Sequence, residues 1–140
     1  MPRGANQKLK LLYLKQFFEE HTDEEHPATM QQMLDYLKAN GVDAERKSIY
    51  TDLDALADFG MDVRKDEYGK RYKWDGRDFE LAEIKLIIDS VASSKHLSEK
   101  KSDALIKKLG KLVSEHQRKE LRRQVRVMGR AKSMNNSVLI

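Results

Sequence analysis

Arg46, Lys47, Ser48, Tyr50 and Thr51 bring charge and hydrogen-bonding groups into a six-residue stretch, while Ile49, Leu53 and Leu56 recur through it at spacings of four and three. Wound as a helix, that pattern separates an apolar flank from a polar front. Each front residue has its own chemistry. Arg46 offers a planar fork for a guanine edge or a phosphate, and Lys47 a point charge. Ser48 and Thr51 carry hydroxyls short enough to reach base edges or phosphate oxygens. Tyr50 presents a phenol to phosphate or a ring to a thymine methyl. A set of this kind fits the major groove of a DNA duplex, which is wide enough for one helix and shows a distinct donor–acceptor pattern at every base pair. The bland alternative is a solvated helix surface.

A second group lies downstream. Arg64, Lys65, Lys70, Arg71, Lys73 and Arg77 sit in or beside two short alternating runs, with Lys70 and Arg71 flanking the turn between them. Cations at a hairpin tip can enter the narrow, negative minor groove or lie along phosphates. Edge strands also carry lysines merely to prevent aggregation. Upstream, Thr29, Met30 and Gln31 open a helix whose free amides suit a phosphate.

These side chains need a scaffold, and the periodicity supplies one. Leu11, Leu14 and Phe18, widened by Leu12 and Phe17, predict a first helix over 7–21. The acidic run Thr22 to Glu25 reads as a solvated loop. Thr29 with Gln32 forms a capping box for a second helix, with Met30, Met33, Leu34 and Leu37 inward and Asn40-Gly41 at its end. A turn over 42–44 leads to the third helix, about 45–59, which Asp43 can cap. Two short helices joined by a tight turn, with another ahead, make a helix-turn-helix. The period then changes to two around Met61, Val63, Tyr72 and Trp74, and Asp66-Glu67-Tyr68-Gly69 suits a turn with Gly69 left-handed. A hairpin placed directly after such a unit is a wing. Beyond it, Asp78 can cap a helix with the seam Leu81, Ile84, Ile88 and Val91, and Ser98 a helix with Leu105, Leu109 and Leu112 inside. That stripe can close an intramolecular helical hairpin or a homodimer.

Composition sets limits. The chain has 140 residues, no cysteine and a net charge of +4, which excludes thiolate metal sites and a cysteine nucleophile. No apolar run reaches the roughly 18–20 residues needed to span a bilayer, and a cytoplasmic protein is the plain expectation. Residues 95–132 hold thirteen Lys/Arg against four Asp/Glu, whereas 1–94 hold fourteen against nineteen. The proposed reading half is therefore net acidic, so the position of its cations matters more than their number. His21 and His26 lie in the acidic loop without a further donor, and His96 and His116 stand alone. No phosphate-cradling glycine loop, nucleophile elbow or apolar carboxylate pair occurs, so neither enzyme activity nor a cofactor or metal is expected. The basic stretch 117–132 can touch phosphate, hold an acidic partner or serve as a linker, the last being the default.

Arg46-Lys47-Ser48-Ile49-Tyr50-Thr51-Asp52-Leu53, with Ala55-Leu56 and Phe59-Gly60, resembles the recognition helix of the DeoR-like winged helix in WYL-domain bacterial transcriptional regulators. The resemblance continues through Tyr68-Gly69-Lys70-Arg71-Tyr72 and Phe79-Glu80-Leu81. It extends into Ser93-Ser94-Lys95 and Leu97-Ser98-Glu99-Lys100-Lys101. It departs at Thr51, where relatives often carry Arg, and it lacks the WYL domain. Asn135-Asn136-Ser137-Val138 resembles the linker just before that domain, and the apolar end at Ile140 reads as a truncation. The resemblance implies double-stranded DNA as partner, Tyr68 in the wing contact, and any effector ligand on a domain not present.

The expected fold is α+β: a winged helix-turn-helix of three helices plus a β-hairpin wing over 5–77, followed by an α-helical extension over 78–125 and a linker over 126–140. The expected function is sequence-specific duplex binding in a transcriptional regulator. The alternative is a winged-helix protein–protein or dimerisation module that does not read DNA.

Overall fold

Leu14, Phe17 and Phe18 turn one side of the first helix, α1 (Lys10–His21), into a core shared with Met30, Met33, Leu37, Ile49, Leu56 and Tyr72. The computed structural model describes residues 7–123, so the expected linker at 126–140 lies outside the described residues. The chain divides into two units, Met1–Gly76 and Arg77–Ile140. The architecture is α+β, helices with a small three-stranded antiparallel sheet, and is compatible with a winged helix. No helix among the described residues is long and apolar enough to cross a membrane.

In the first unit, α1 differs from expectation at Leu11 and Leu12, which are 38% and 61% exposed, whereas Lys10 is buried. At about 100° per residue, Lys10, Leu14, Phe17 and Phe18 share one arc, and Leu11 and Leu12 fall outside it. The acidic run after α1 is only partly solvated. Thr22 and Asp23 are buried: the Thr22 hydroxyl donates to Phe18 O at 2.7 Å and accepts from Trp74 N at 3.2 Å. Asp23 accepts from Glu25 N at 2.9 Å and meets His26 Nδ1 at 2.8 Å. Short polar side chains satisfy the backbone where a helix ends, which composition alone does not reveal.

Strand β1 (Ala28–Thr29) runs directly into α2 (Met30–Ala39). Thr29 forms the expected capping box, accepting from Gln32 N at 3.2 Å while Thr29 N donates to Gln32 Oε1 at 2.8 Å. Helices α2 and α3 (Arg46–Phe59) end alike. Gly41 and Gly60 take φ of 79° and 112°, and the next residue's amide returns to the last turn: Val42 N to Leu37 O and Met61 N to Leu56 O, both 2.8 Å. Val42 and Met61 are thereby tucked into the core. The N-cap of α3 is Glu45, with no side-chain cap bond, rather than Asp43. Strands β2 (Arg64–Lys65) and β3 (Arg71–Lys73) form the hairpin, and β1 adds to its free edge in the order β1-β3-β2, with Ala28 opposite Tyr72 and Thr29 opposite Arg71. A two-residue strand carries no readable period, so β1 is invisible in sequence.

In the second unit, α4 (Leu81–Ala92) is capped by a reciprocal Glu80–Glu83 box, not by Asp78. Ser98 caps α5 (Glu99–Leu109) as expected. The core is Ile84, Ile88, Val113 and Leu121, joined by Leu81, Ile106 and Leu109, with Val91 half-buried. Leu105 and Leu112, expected inside, are 39% and 43% exposed. The inward arc of α5 instead follows Ser102, Ile106 and Leu109, and the 3-10 turn Gly110–Leu112 winds the chain so that Val113 returns to the core. Residues 115–123 are helical, so the default linker reading of the basic stretch 117–132 does not hold for 117–123. Ser114 and Gln117 cap that helix reciprocally at 3.2 and 3.1 Å, and Arg118 Nε donates to Gly110 O at 3.0 Å.

Candidate nucleic-acid interface

Three elements of the first unit carry the candidate residues. On α3, Ile49 and Leu56 are buried and Leu53 is half-buried against the core, while Arg46, Lys47, Tyr50 and Thr51 are exposed. Ser48 differs from its neighbours. It is half-buried, and its hydroxyl donates to Glu45 O at 2.8 Å and accepts from Lys10 Nζ at 2.7 Å. It therefore faces the scaffold more than the exposed front of α3. At the start of α2, the Gln31 amide donates to Asp35 at 2.8 Å, and the Thr29 hydroxyl is taken up in its capping box.

The hairpin tip closes on Asp66. Its carboxylate accepts from Lys70 N at 3.1 Å and Arg71 N at 3.3 Å, and Gly69, at φ 67°, donates its amide to Asp66 O at 3.0 Å. Desolvation pushes the Asp66 carboxyl up, but the backbone amides of Arg71, Lys70 and Tyr68 and the Arg71 charge outweigh it and hold it below its ordinary value. Tyr68 stands 80% exposed at the tip. Tyr68, Lys70, Arg71 and Lys73 line one open groove with Pro27, Asp66 and Glu67.

Helix and hairpin meet at Tyr72. Its ring is buried, and burial, then its hydrogen bond with Tyr50 and the repulsion of that phenol, raise its hydroxyl above the usual range; the Arg46 charge opposes the shift. Lys65 Nζ lies 6.0 Å from the centre of the same ring.

The cations of this unit fall into two groups. Lys10 pairs with Asp52, Lys15 with Glu19, Arg64 with Asp62 and Lys73 with Glu24. Among the described residues Arg46, Lys47, Lys65, Lys70 and Arg71 enter no ion pair, as is also true of Lys8 and Lys38 outside these elements. The charge along α3 runs against its own stability. Arg46 and Lys47 occupy the first turn, which holds no acid beyond the N-cap Glu45, while Asp54 and Asp58 lie exposed toward the other end. A helix dipole favours the opposite order.

Sequence reasoning missed the underside of α3. Lys10 Nζ lies 2.6 Å from Asp52 Oδ2, off the hydrogen-bond line, with the two side chains 8% and 17% exposed. The signal was present. Lys10 shares the phase of Leu14, Phe17 and Phe18, and Asp52 that of Ile49 and Leu56, so opposite charges occupy core positions of two helices. Among the described residues no group of three or more His, Asp or Glu is placed to hold a metal. Comparison with protein-family models, curated proteins and solved structures finds no match.

Proposed function

We propose that the first unit is a winged helix-turn-helix that reads duplex DNA, as the N-terminal region of a WYL-type bacterial transcriptional regulator does. In this reading α3 enters the major groove. Arg46, Lys47, Tyr50 and Thr51 face the bases and Ser48 braces the helix from behind. Lys70, Arg71 and Tyr68 hold the hairpin against the flanking backbone, and the start of α2 at Thr29 and Gln31 lies toward a phosphate.

The observation that carries the reading is the reversed charge of α3. Two cations at its first turn, unpaired among the described residues, oppose the helix dipole, yet they stand where a docked helix meets base edges and phosphates. Beside them the chain places Glu45 at the N-cap, without an ion pair among the described residues, and a duplex would supply further negative charge there. The test is selection of bound duplexes from a random pool, followed by gel shifts. Arg46→Ala with Lys47→Ala abolishes discrimination between selected and random duplex. Lys70→Ala weakens binding to both alike and lowers the salt slope by about one unit. Unchanged discrimination in the double variant removes α3 from the role.

A further inference from the structure

Outside this interface, the strongest charge feature of the described residues is the outer side of α5. Lys100, Lys101, Lys107 and Lys108, with Lys111 in the following 3-10 turn, are all exposed, and none enters an ion pair among the described residues. Ser102, Ile106 and Leu109 occupy the inward arc, so the lysines stand away from the core of their unit. Lys107 and Lys108 sit where the helix dipole welcomes cations, and this accounts for two of the five. Lys100 and Lys101 lie in the first turn, where it does not. Lys107 and Lys111 are four apart, a like-charge spacing that opposes a helix. The two acids of the same helix, Glu99 and Asp103, enter no ion pair with these lysines among the described residues.

We propose that this lysine face is a second, sequence-independent contact for the phosphate backbone of duplex DNA. Lys100 to Lys107, and Lys101 to Lys108, each span about 10 Å along the helix. About six duplex phosphates fall within that length when both strands are counted. Ammonium groups on flexible stems suit such a target, because they demand charge without a fixed angle. The inference rests on duplex DNA as the partner of the first unit, but it does not depend on what α3 reads.

The experiment is fluorescence anisotropy of the full chain on a long random-sequence duplex, from about 50 to about 200 mM salt. The variant is Lys100→Gln, Lys101→Gln, Lys107→Gln, Lys108→Gln and Lys111→Gln combined, with the matching five Lys→Arg changes as rescue. The salt slope is expected to fall by about three to four units in the glutamine variant and to hold in the arginine variant. Preference for a selected duplex is retained, and circular dichroism shows the helices intact. A glutamine variant with an unaltered slope overturns the proposal and leaves the α3 reading standing. A wild-type chain with a steep slope but no sequence preference sinks the α3 reading and spares this one. Equally tight, salt-sensitive capture of polyglutamate, lost in the same variant, assigns the face to acidic proteins and overturns the phosphate proposal.

Discussion

Replacing Lys10 by Met isolates what holds α3 in place. The methionine keeps most of the apolar stem but removes the ammonium that meets both Asp52 and Ser48. Asp52 is then left charged, mostly buried and without its cation. Breaking one side of a deeply buried pair costs about 3–5 kcal/mol, and a surface pair about 0–1 kcal/mol. With side chains only 8% and 17% exposed, this pair belongs near the buried limit, and about 3 kcal/mol is expected. In a unit of this size that lowers the melting midpoint by roughly 12–24 °C. Thermal and urea denaturation followed by circular dichroism read it directly. Adding Asp52→Leu removes the orphaned carboxylate and is expected to restore stability to within about 1 kcal/mol of the parent, because apolar pairs commonly replace buried ion pairs without loss. A Lys10→Met midpoint within about 5 °C of the parent would refute the reasoning. The contact would then be a solvated pair, and α3 would owe its position to its apolar side, Ile49, Leu53 and Leu56.

Two further outcomes test the scaffold. Thr29→Ala removes the hydroxyl half of the α2 capping box and is expected to lower stability by about 1 kcal/mol in urea titration, whereas Thr29→Ser holds it. Asp66, held below its ordinary value of 3.8, stabilises the hairpin above that value. The contribution disappears as pH falls through the lower folded-state value, so the tip is expected to fray only in that acid range, read by NMR shifts of the Gly69 and Lys70 amides. Asp66→Asn removes that acid transition, and a transition that persists would place its origin elsewhere.

Residue order alone was enough for much of the scaffold. The Thr29–Gln32 box, the stops at Gly41 and Gly60, the Ser98 cap and the left-handed Gly69 are local devices, each written in a few adjacent residues. The exposed front of α3 was equally legible, since the phase of Ile49 and Leu56 fixes which positions remain outside.

Packing between distant segments decided the rest. Strand β1 exists only because Tyr72 and Arg71 lie opposite Ala28 and Thr29. Leu105 and Leu112 turned outward because Ser102, Ile106 and Leu109 form the inward arc of α5 and a 3-10 turn shifts the phase that follows. Lys10, Ser48 and Asp52 converge from two helices, and Lys73 is drawn from the candidate contacts by Glu24. Sequence displays which groups are present and their local phase. Which charges stay free depends on what other segments bring within a few ångströms, and that proximity is a property of the folded chain.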